Sequence, residues 1–290
     1  MISISVETNA LVHLLQKTKR PSYTGSSVAD QVVACALIPN TNKQTLSTIS
    51  LVKDGVSSLS KFSCSAEISQ DDYFYIPNIS KVLGILKFHG GKITLTQTQD
   101  SLKFKSNNKQ TTIKTSQDCK VFSQSPLTLK EWTKQSVERL ASFQEVDSYV
   151  DKHIYQYVTK DGKSIAPEFA CKLNGLDLFE AFRCGSINGQ SADVVEFEYD
   201  KLDHTEKLLV NSGSDLHGAT TSEIPIDIDI HWSSPHDILS CKYKGGLFHL
   251  FKHINEKITL MFFDFSEYGQ GTGLLLVSDS NMIFQAPMLG

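Results

Sequence analysis

The run Lys-Ile-Thr-Leu occurs twice in the chain, at residues 92–95 and at 257–260, 165 positions apart. Continued without gaps, the same offset lays Asn9–Leu14 (NALVHL) on Asn174–Phe179 (NGLDLF). It also lays Val82, Leu83, Ile85 and Leu86 on Leu247, Phe248, Leu250 and Phe251. Three matches in one order point to a duplicated domain. Duplication constrains the fold before any single motif does, because whatever one half forms the other must form too.

Each half reads alike. A short strand (ISISV, PEFACKL) leads into a helix that starts at an Asn and carries apolar residues at helical spacing. Alternating strands, a second amphipathic helix and a closing set of strands follow. In the first half the second helix is PNISKVLGILKFHGG, with Pro77 suited to its start, a stripe of Ile79, Val82, Leu83 and Leu86, and Gly90-Gly91 as its stop. In the second half it is KYKGGLFHLFKHINE, with Leu247, Leu250, Phe251 and Ile254 as the stripe. Ser106-Asn107-Asn108 and Gly269 to Gly273 read as hairpin turns. The fold class is α+β: two similar domains of antiparallel sheet with two helices each, at residues 1–116 and 166–290. Between them residues 117–165 form a connector with one added helix. Thr128 and Glu131 make a capping box for it, and Trp132, Leu140, Phe143 and Val146 recur near helical spacing. Asp161-Gly162 and Pro167 mark the connector's far edge as turn.

A chain of 290 residues, 40% hydrophobic and 21% charged, has an ordinary soluble composition and the length of about two domains. The first twenty residues lack a secretory pattern, and no stretch has the roughly 18 apolar residues of a membrane span, so a cytoplasmic or nuclear protein, not secreted, is expected. The six cysteines stand singly with no CxxC, which speaks for reduced thiols. There is no GxSxG, P-loop or dinucleotide-binding glycine motif. His249 and His253 lie four apart but have no carboxylate or Cys at ligand spacing, and His231 and His236 read as polar surface. Asp71-Asp72 read as a solvated turn, and Asp227 and Asp229 as a strand edge. No enzyme, cofactor or metal is expected.

The charge is unevenly placed. The four windows that hold the predicted helices (8–20, 78–92, 174–189 and 242–257) contain eleven of the 28 Lys/Arg and three of the 32 Asp/Glu, leaving 17 and 29 for the rest. Glu forms helices as readily as Lys does, so this depletion is not a propensity effect. A face holding Lys17, Lys19, Arg20, Lys81, Lys87, Arg183, Lys242, Lys244 and Lys252 suits a phosphate backbone, bound without reading sequence.

A duplicated β-rich domain with two helices per repeat, basic helices and a last strand running into Ala-Pro resembles the DNA polymerase sliding clamps. The likeness is to the two-domain type represented by proliferating cell nuclear antigen and by the clamps of tailed phages. The residues that carry it are YIPNISKVLGILKFHGGKITLTQTQDSLKFKS (75–106) and GGLFHLFKHINEKITLMFFDFSEYGQGTGLLLVSDSNMIFQAP (245–287). The connector is longer than that pattern. The resemblance implies a ring, here a homotrimer, with helices lining a hole that double-stranded DNA passes through and sheets forming the outer wall. It implies a processivity factor that tethers a polymerase and is placed on DNA by a clamp loader. A polymerase C-terminal peptide would occupy a groove at Phe284, Ala286, Pro287, Met288 and Leu289. Subunits would join by an edge strand holding Thr111, Ile113 and Thr115, with a second edge near Thr205 to Asn211. A non-ring DNA-binding processivity factor of the same fold and a β-rich viral structural protein are the alternatives.

Overall fold

Ile4 and Val6 of the first strand are buried while Ser3 and Ser5 are half-exposed, the period-two pattern of a strand with one covered face. The computed structural model describes residues 2–19, 34–53, 57–120, 127–146, 154–184, 194–202, 206–214, 218–227, 231–234, 236–244 and 254–286. They fall into two units, residues 1–53 with 59–139, and residues 140–290 with 54–58.

In the first unit, strand β1 (Ile2–Glu7) runs directly into helix α1 (Thr8–Thr18). Then come β2 (Cys35–Asn40), β3 (Thr45–Lys53), β4 (Ser57–Ser65), β5 (Glu67–Ile68), β6 (Phe74–Ile76), helix α2 (Ile79–Leu86), β7 (Lys92–Gln97), β8 (Ser101–Ser106) and β9 (Lys109–Lys114). One sheet has the order β5-β1-β7-β8-β9, and a second set pairs as β4-β3-β2-β6. α1 has no side-chain N-cap; instead the backbone N–H and hydroxyl of Thr8 both donate to the Gly91 carbonyl, at 2.9 and 2.6 Å. Asn78 caps α2 by accepting from Lys81 N at 2.8 Å, so the helix begins after Pro77 and not at it.

Helix α3 (Leu129–Ala141) follows, with the expected capping box: Thr128 N and Oγ1 donate to Glu131 Oε2 at 2.9 and 2.8 Å. Trp132 and Leu140 lie on its buried side. Phe143 and Val146 do not continue this helix. Phe143 belongs to β10 (Phe143–Glu145), which pairs with β11 (Tyr155–Val158), and β11 pairs with β12 (Ser164–Ile165).

The second unit repeats the first. Strand β13 (Phe169–Asn174) runs into α4 (Gly175–Cys184), then β14 (Val194–Asp200), β15 (Lys207–Ser214), β16 (Gly218–Pro225), β17 (His231–Trp232), β18 (Ile238–Lys244), β19 (Lys257–Asp264), β20 (Thr272–Val277) and β21 (Asn281–Gln285). Its sheets pair as β17-β13-β19-β20-β21 and β18-β14-β15-β16, the connectivity of the first unit. The KITL runs are equivalent: Val6 pairs with Ile93 and Glu7 with Lys92, as Leu173 pairs with Ile258 and Asn174 with Lys257. The helices, however, match at an offset of 167. Buried Thr8, Leu11, Leu14 and Leu15 of α1 correspond to buried Gly175, Leu178, Ala181 and Phe182 of α4. Asn9 therefore does not lie on Asn174, and the second unit is two residues shorter between the first helix and its KITL strand.

Lys242 and Lys244, expected on a helix, lie in β18; residues 245–253, which hold most of that expected helix, are outside the described residues. The strand expected to be an edge near Asn211 is β15, which pairs on both sides, with β14 and β16.

At the α4 junction, Gly175 N donates to the Glu256 carbonyl at 3.0 Å. A Cβ on Gly175 would stand 2.7 Å from Ile254 Cγ2 and 2.9 Å from the carbonyls of Ile254 and Glu256. Two of these obstacles are backbone and cannot turn aside. Gly175→Ala is therefore expected to cost about 1–3 kcal/mol, seen as a lower thermal midpoint; an unchanged midpoint would mean the junction is looser than it stands here.

Candidate functional site

One face on each unit and one strand edge of the first unit carry the residues singled out above. On the first unit, α1 and α2 pack against each other. α1 buries Leu11, Leu14 and Leu15 and exposes Asn9, His13 and Gln16; α2 buries Ile79, Val82 and Leu86 and exposes Ser80 and Lys81. Neither helix contains an acidic residue. Lys19 and Lys87 are the C-cap residues, where a cation meets the negative end of the helix dipole. Lys17 is half-buried with its Nζ 5.9 Å from the centre of the Phe62 ring. Among the described residues Lys19, Lys81 and Lys87 are exposed and make no ion pair, whereas Lys92 on β7 pairs with Glu67.

The second unit differs. α4 exposes both Asp177 and Arg183, and the Arg183 guanidinium is held by Glu180, with Nε at 2.7 Å and Nη2 at 2.6 Å. Lys242 stands on a strand with its Nζ 3.5 Å from Glu196. Arg20, Lys252 and the side chain of Lys244 lie outside the described residues.

The second face is aromatic. Phe143 of β10 sits on Phe284 of β21, on Phe263 of β19 and on Tyr157 of β11, with ring centres 5.0, 5.6 and 5.1 Å away. Tyr157 also meets Phe265 edge-on at 5.1 Å. Beneath them lie Ala170, Met261, Leu275 and Val277. Gly273 makes room: a Cβ there would stand 2.6 Å from the Phe265 ring and 3.1 Å from that of Phe284. The Lys163–Glu267 ion pair ties the β11–β12 hairpin to the β19–β20 loop, and Tyr155 N donates to Met261 Sδ at 3.3 Å. Phe284, expected to face a ligand, is 5% exposed because the chain's own aromatics cover it. What stays partly open is a rim of Tyr155, Tyr157, Ile165, Met282 and Ala286. Pro287, Met288 and Leu289 lie outside the described residues. This cluster escaped sequence reading, although the alternating run YQYV carried its strand pattern.

The edge is β9, the last strand of its sheet. Thr115 N donates to the Asp100 carbonyl at 3.1 Å, which fixes the phase of the β8–β9 ladder. Antiparallel strands alternate inward and outward donors. The N–H groups of Thr111 and Ile113 thus point at β8, and those of Gln110, Thr112 and Lys114 point outward. The outward donors thus lie one residue away from Thr111, Ile113 and Thr115, the positions expected at a joint. Behind this edge His89, 8% exposed, bridges the hairpin: its Nδ1 is 2.7 Å from Ser106 Oγ and its Nε2 is 3.2 Å from Thr111 Oγ1. Burial, helped by nearby Lys109, pushes the His89 pKa below the ordinary imidazole value. The folded state therefore favours neutral His89. Its contribution is intact above the unfolded pKa of about 6.5 and is lost as pH falls from there toward the folded value. Melting curves from pH 7.5 to 5.5 should show a stability loss that His89→Gln reduces; equal slopes would mean that His89 takes up its proton alike in the folded and unfolded chains.

No protein-family model matches the chain, and no curated protein matches it either. Solved structures do. A Helicobacter pylori beta clamp in complex with 5-chloroisatin is 18% identical at a TM-score of 0.60, over 100% of this chain and 64% of that one. The Helicobacter pylori beta clamp bound to a DNA ligase peptide is 17% identical at 0.60, over 100% and 67%. The DNA polymerase III subunit beta from Pseudomonas aeruginosa is 12% identical at 0.60, over 99% and 66%. The chain has the sliding-clamp fold and spans 64% of the length of the first of these.

Proposed function

We propose that the chain is a subunit of a sliding clamp, a ring that encircles duplex DNA and tethers a polymerase to it. One observation carries this reading: a chain with the clamp fold along its whole length presents helices with Lys17, Lys19, Lys81 and Lys87 and no carboxylate. Residues 1–116 and 166–290 act as ring-forming domains and 117–165 as the connector, and three copies close a ring of six such domains. Lysines facing the hole attract phosphates through screened Coulomb forces that carry no base information, so the ring holds DNA and still slides. Lys17, Lys19, Arg20, Lys81, Lys87 and Lys252 are the residues assigned to this contact. Arg183 and Lys242 contribute less, since each already faces a carboxylate. Tethering raises the local concentration of a bound enzyme without new contacts to DNA, and needs no chemistry on this chain. A clamp loader opens the ring, and the setting is the cytoplasm, the host's for a phage protein, or the nucleus.

Clients dock by an apolar peptide at the rim of the aromatic cluster, where Tyr155 and Ala286 stand partly open; Pro287, Met288 and Leu289 are assigned to the same groove from the sequence. The neighbour bound to a DNA ligase peptide supports a peptide surface on this fold. Phe284 acts from below, as support for the rim. The outward donors of β9 supply the joint between copies. A monomeric factor that grips DNA without closing is the second reading, separated by mass: a trimer has three times 32.2 kDa.

Lys19→Glu with Lys81→Glu should leave the fold and the mass unchanged while abolishing stimulation of a polymerase on a long primed template. The salt dependence of DNA binding should fall by about 0.9 in slope for each phosphate no longer neutralised. Full stimulation at physiological salt would remove these helices from the DNA.

Thr112→Pro deletes an outward donor from an exposed edge position and spares the inner ladder. It should yield folded monomers, whereas Ile113→Pro should damage the hairpin itself. A Thr112→Pro protein of unchanged oligomer mass excludes β9 from the joint.

Deleting residues 287–290 should weaken a polymerase C-terminal peptide roughly tenfold or more, because it removes two or three apolar side chains whose burial is worth about 1 kcal/mol each. Calorimetric titration of both proteins with the same peptide checks it, and equal affinities place the groove elsewhere.

A further inference from the structure

Phe88 is 70% exposed, the most open of the large apolar side chains among the described residues, and its backbone is tied to the first residue of β9. Lys109 Nζ donates to the Phe88 carbonyl at 2.8 Å, and the next residue, His89, holds Ser106 and Thr111. The Phe88 backbone is thus held at the start of β9, next to an imidazole that reaches the face on which Thr111 and Ile113 are covered.

The other unit has a matching edge. β16 ends its sheet, and Ile226 N donates to the Glu206 carbonyl at 2.9 Å, so Ile224, Ser222 and Thr220 donate inward while Glu223, Thr221 and Ala219 donate outward. On β16 the outward donors Ala219, Thr221 and Glu223 are exposed, as Gln110, Thr112 and Lys114 are on β9. Laid antiparallel, the edges join solvent face to solvent face and core face to core face. Gln110 then meets Glu223, Thr112 meets Thr221, and Lys114 meets Ala219. Pro225, which has no donor, closes the row at the Lys109 end.

That end of β16 leads to α4. Ile226 bridges to Leu173, two residues before the helix, while Thr220 at the other end reaches the Cys184 carbonyl at 3.5 Å. The first turn of α4 exposes Leu176, at 45%, next to Asp177. Phe88 is preceded by exposed Lys87. An aromatic with a cation beside it thus comes opposite a leucine with an anion beside it.

We propose that Phe88 is an apolar latch that seats on the first turn of α4, beside Leu176, of a second copy of this chain, where the β9 edge of one copy joins the β16 edge of the next. The inference rests on the ring reading above and names the contact that closes it. Strand pairing supplies direction and register through repeated, nearly equivalent hydrogen bonds. The latch supplies desolvated apolar area at one end, which makes a single register favourable and penalises slipped ones.

Light scattering over a dilution series tests it with Phe88→Asp, a substitution at an exposed site that leaves the monomer's melting curve intact. The dissociation constant of the oligomer should rise at least about tenfold, and Leu176→Asp should do the same. Phe88→Cys/Leu176→Cys should form a disulfide-linked ladder under oxidising conditions that neither single variant forms. An unchanged dissociation constant for Phe88→Asp in an oligomer that Thr112→Pro breaks would overturn the latch and leave the ring. Loss of oligomer in both Asp variants with no ladder from the double Cys variant would overturn the pairing of Phe88 with α4. A parent protein that is monomeric at every concentration would overturn the ring reading and the latch with it.

Discussion

Everything else in each unit hangs from one backbone hydrogen bond, donated by the first residue of a helix to the residue before a KITL strand. Thr8 N reaches the Gly91 carbonyl at 2.9 Å, and Gly175 N reaches the Glu256 carbonyl at 3.0 Å. In both units the helix follows its strand with no intervening loop, so this bond fixes where the helix axis leaves the sheet. It also satisfies one of the donors that a helix start leaves open. Once the axis is set, Leu11 and Leu15, or Leu178 and Phe182, must fall on the sheet, and the opposite side must face away. The first unit replaces the glycine by Thr8, whose hydroxyl adds a second bond to the same carbonyl. The second unit needs glycine because Ile254 approaches so closely.

Much of this was legible because it is local. The KITL runs share register as well as letters, and the turns at Asn107 and Gly162 take the positive φ angles that Asn and Gly tolerate. What sequence reading misplaced were boundaries where two periods compete. The stripe Leu247, Leu250, Phe251 drew the expected helix back over KYK, yet Cys241 and Tyr243 are buried and Lys242 exposed, which is a strand's alternation. Phe143 follows Leu140 at helical spacing, yet β11, a dozen residues further on, pairs with it. No local pattern could have set the phase of the β9 ladder. It depends on which of two interleaved rows of donors meets β8, and a shift of one residue exchanges them.

Charge shows how far a count over windows carries. Arg183 and Glu180 sit three apart on α4 and meet, as that spacing allows, so α4 contributes little field. Lys92 and Lys257, counted with the helices, lie on strands and pair with Glu67 and Asp227. Among the described helices the asymmetry left is confined to α1 and α2 and rests on the absence of acids more than on the number of lysines. A lysine with no carboxylate within reach keeps its full charge for a phosphate, whose condensed cations it can displace; one already paired has less charge to offer.

The apolar C-terminal strands look at first like a surface waiting for a partner. In the first unit β7 alternates buried and exposed positions, as a sheet covered on one face does. β19 and β20 are buried residue after residue, from Ile258 to Phe263 and from Gly273 to Val277. The second cover is the small β10–β11–β12 sheet, which lays Phe143 and Tyr157 over Phe263, Phe265 and Phe284. The polar SDSN that interrupts these runs is also accounted for: Ser278, Ser280 and Asn281 all donate to the Glu256 carboxylate, at 2.5, 2.9 and 2.5 Å. That carboxylate belongs to the same residue whose carbonyl anchors α4, so the last hairpin and the helix junction share one support. Under the docking proposed above, a ligand at the rim of this cluster would meet a finished core. Its affinity must come from the rim that the connector leaves uncovered and not from filling a hole beneath it, and substitutions in the buried aromatics would move stability before they moved binding.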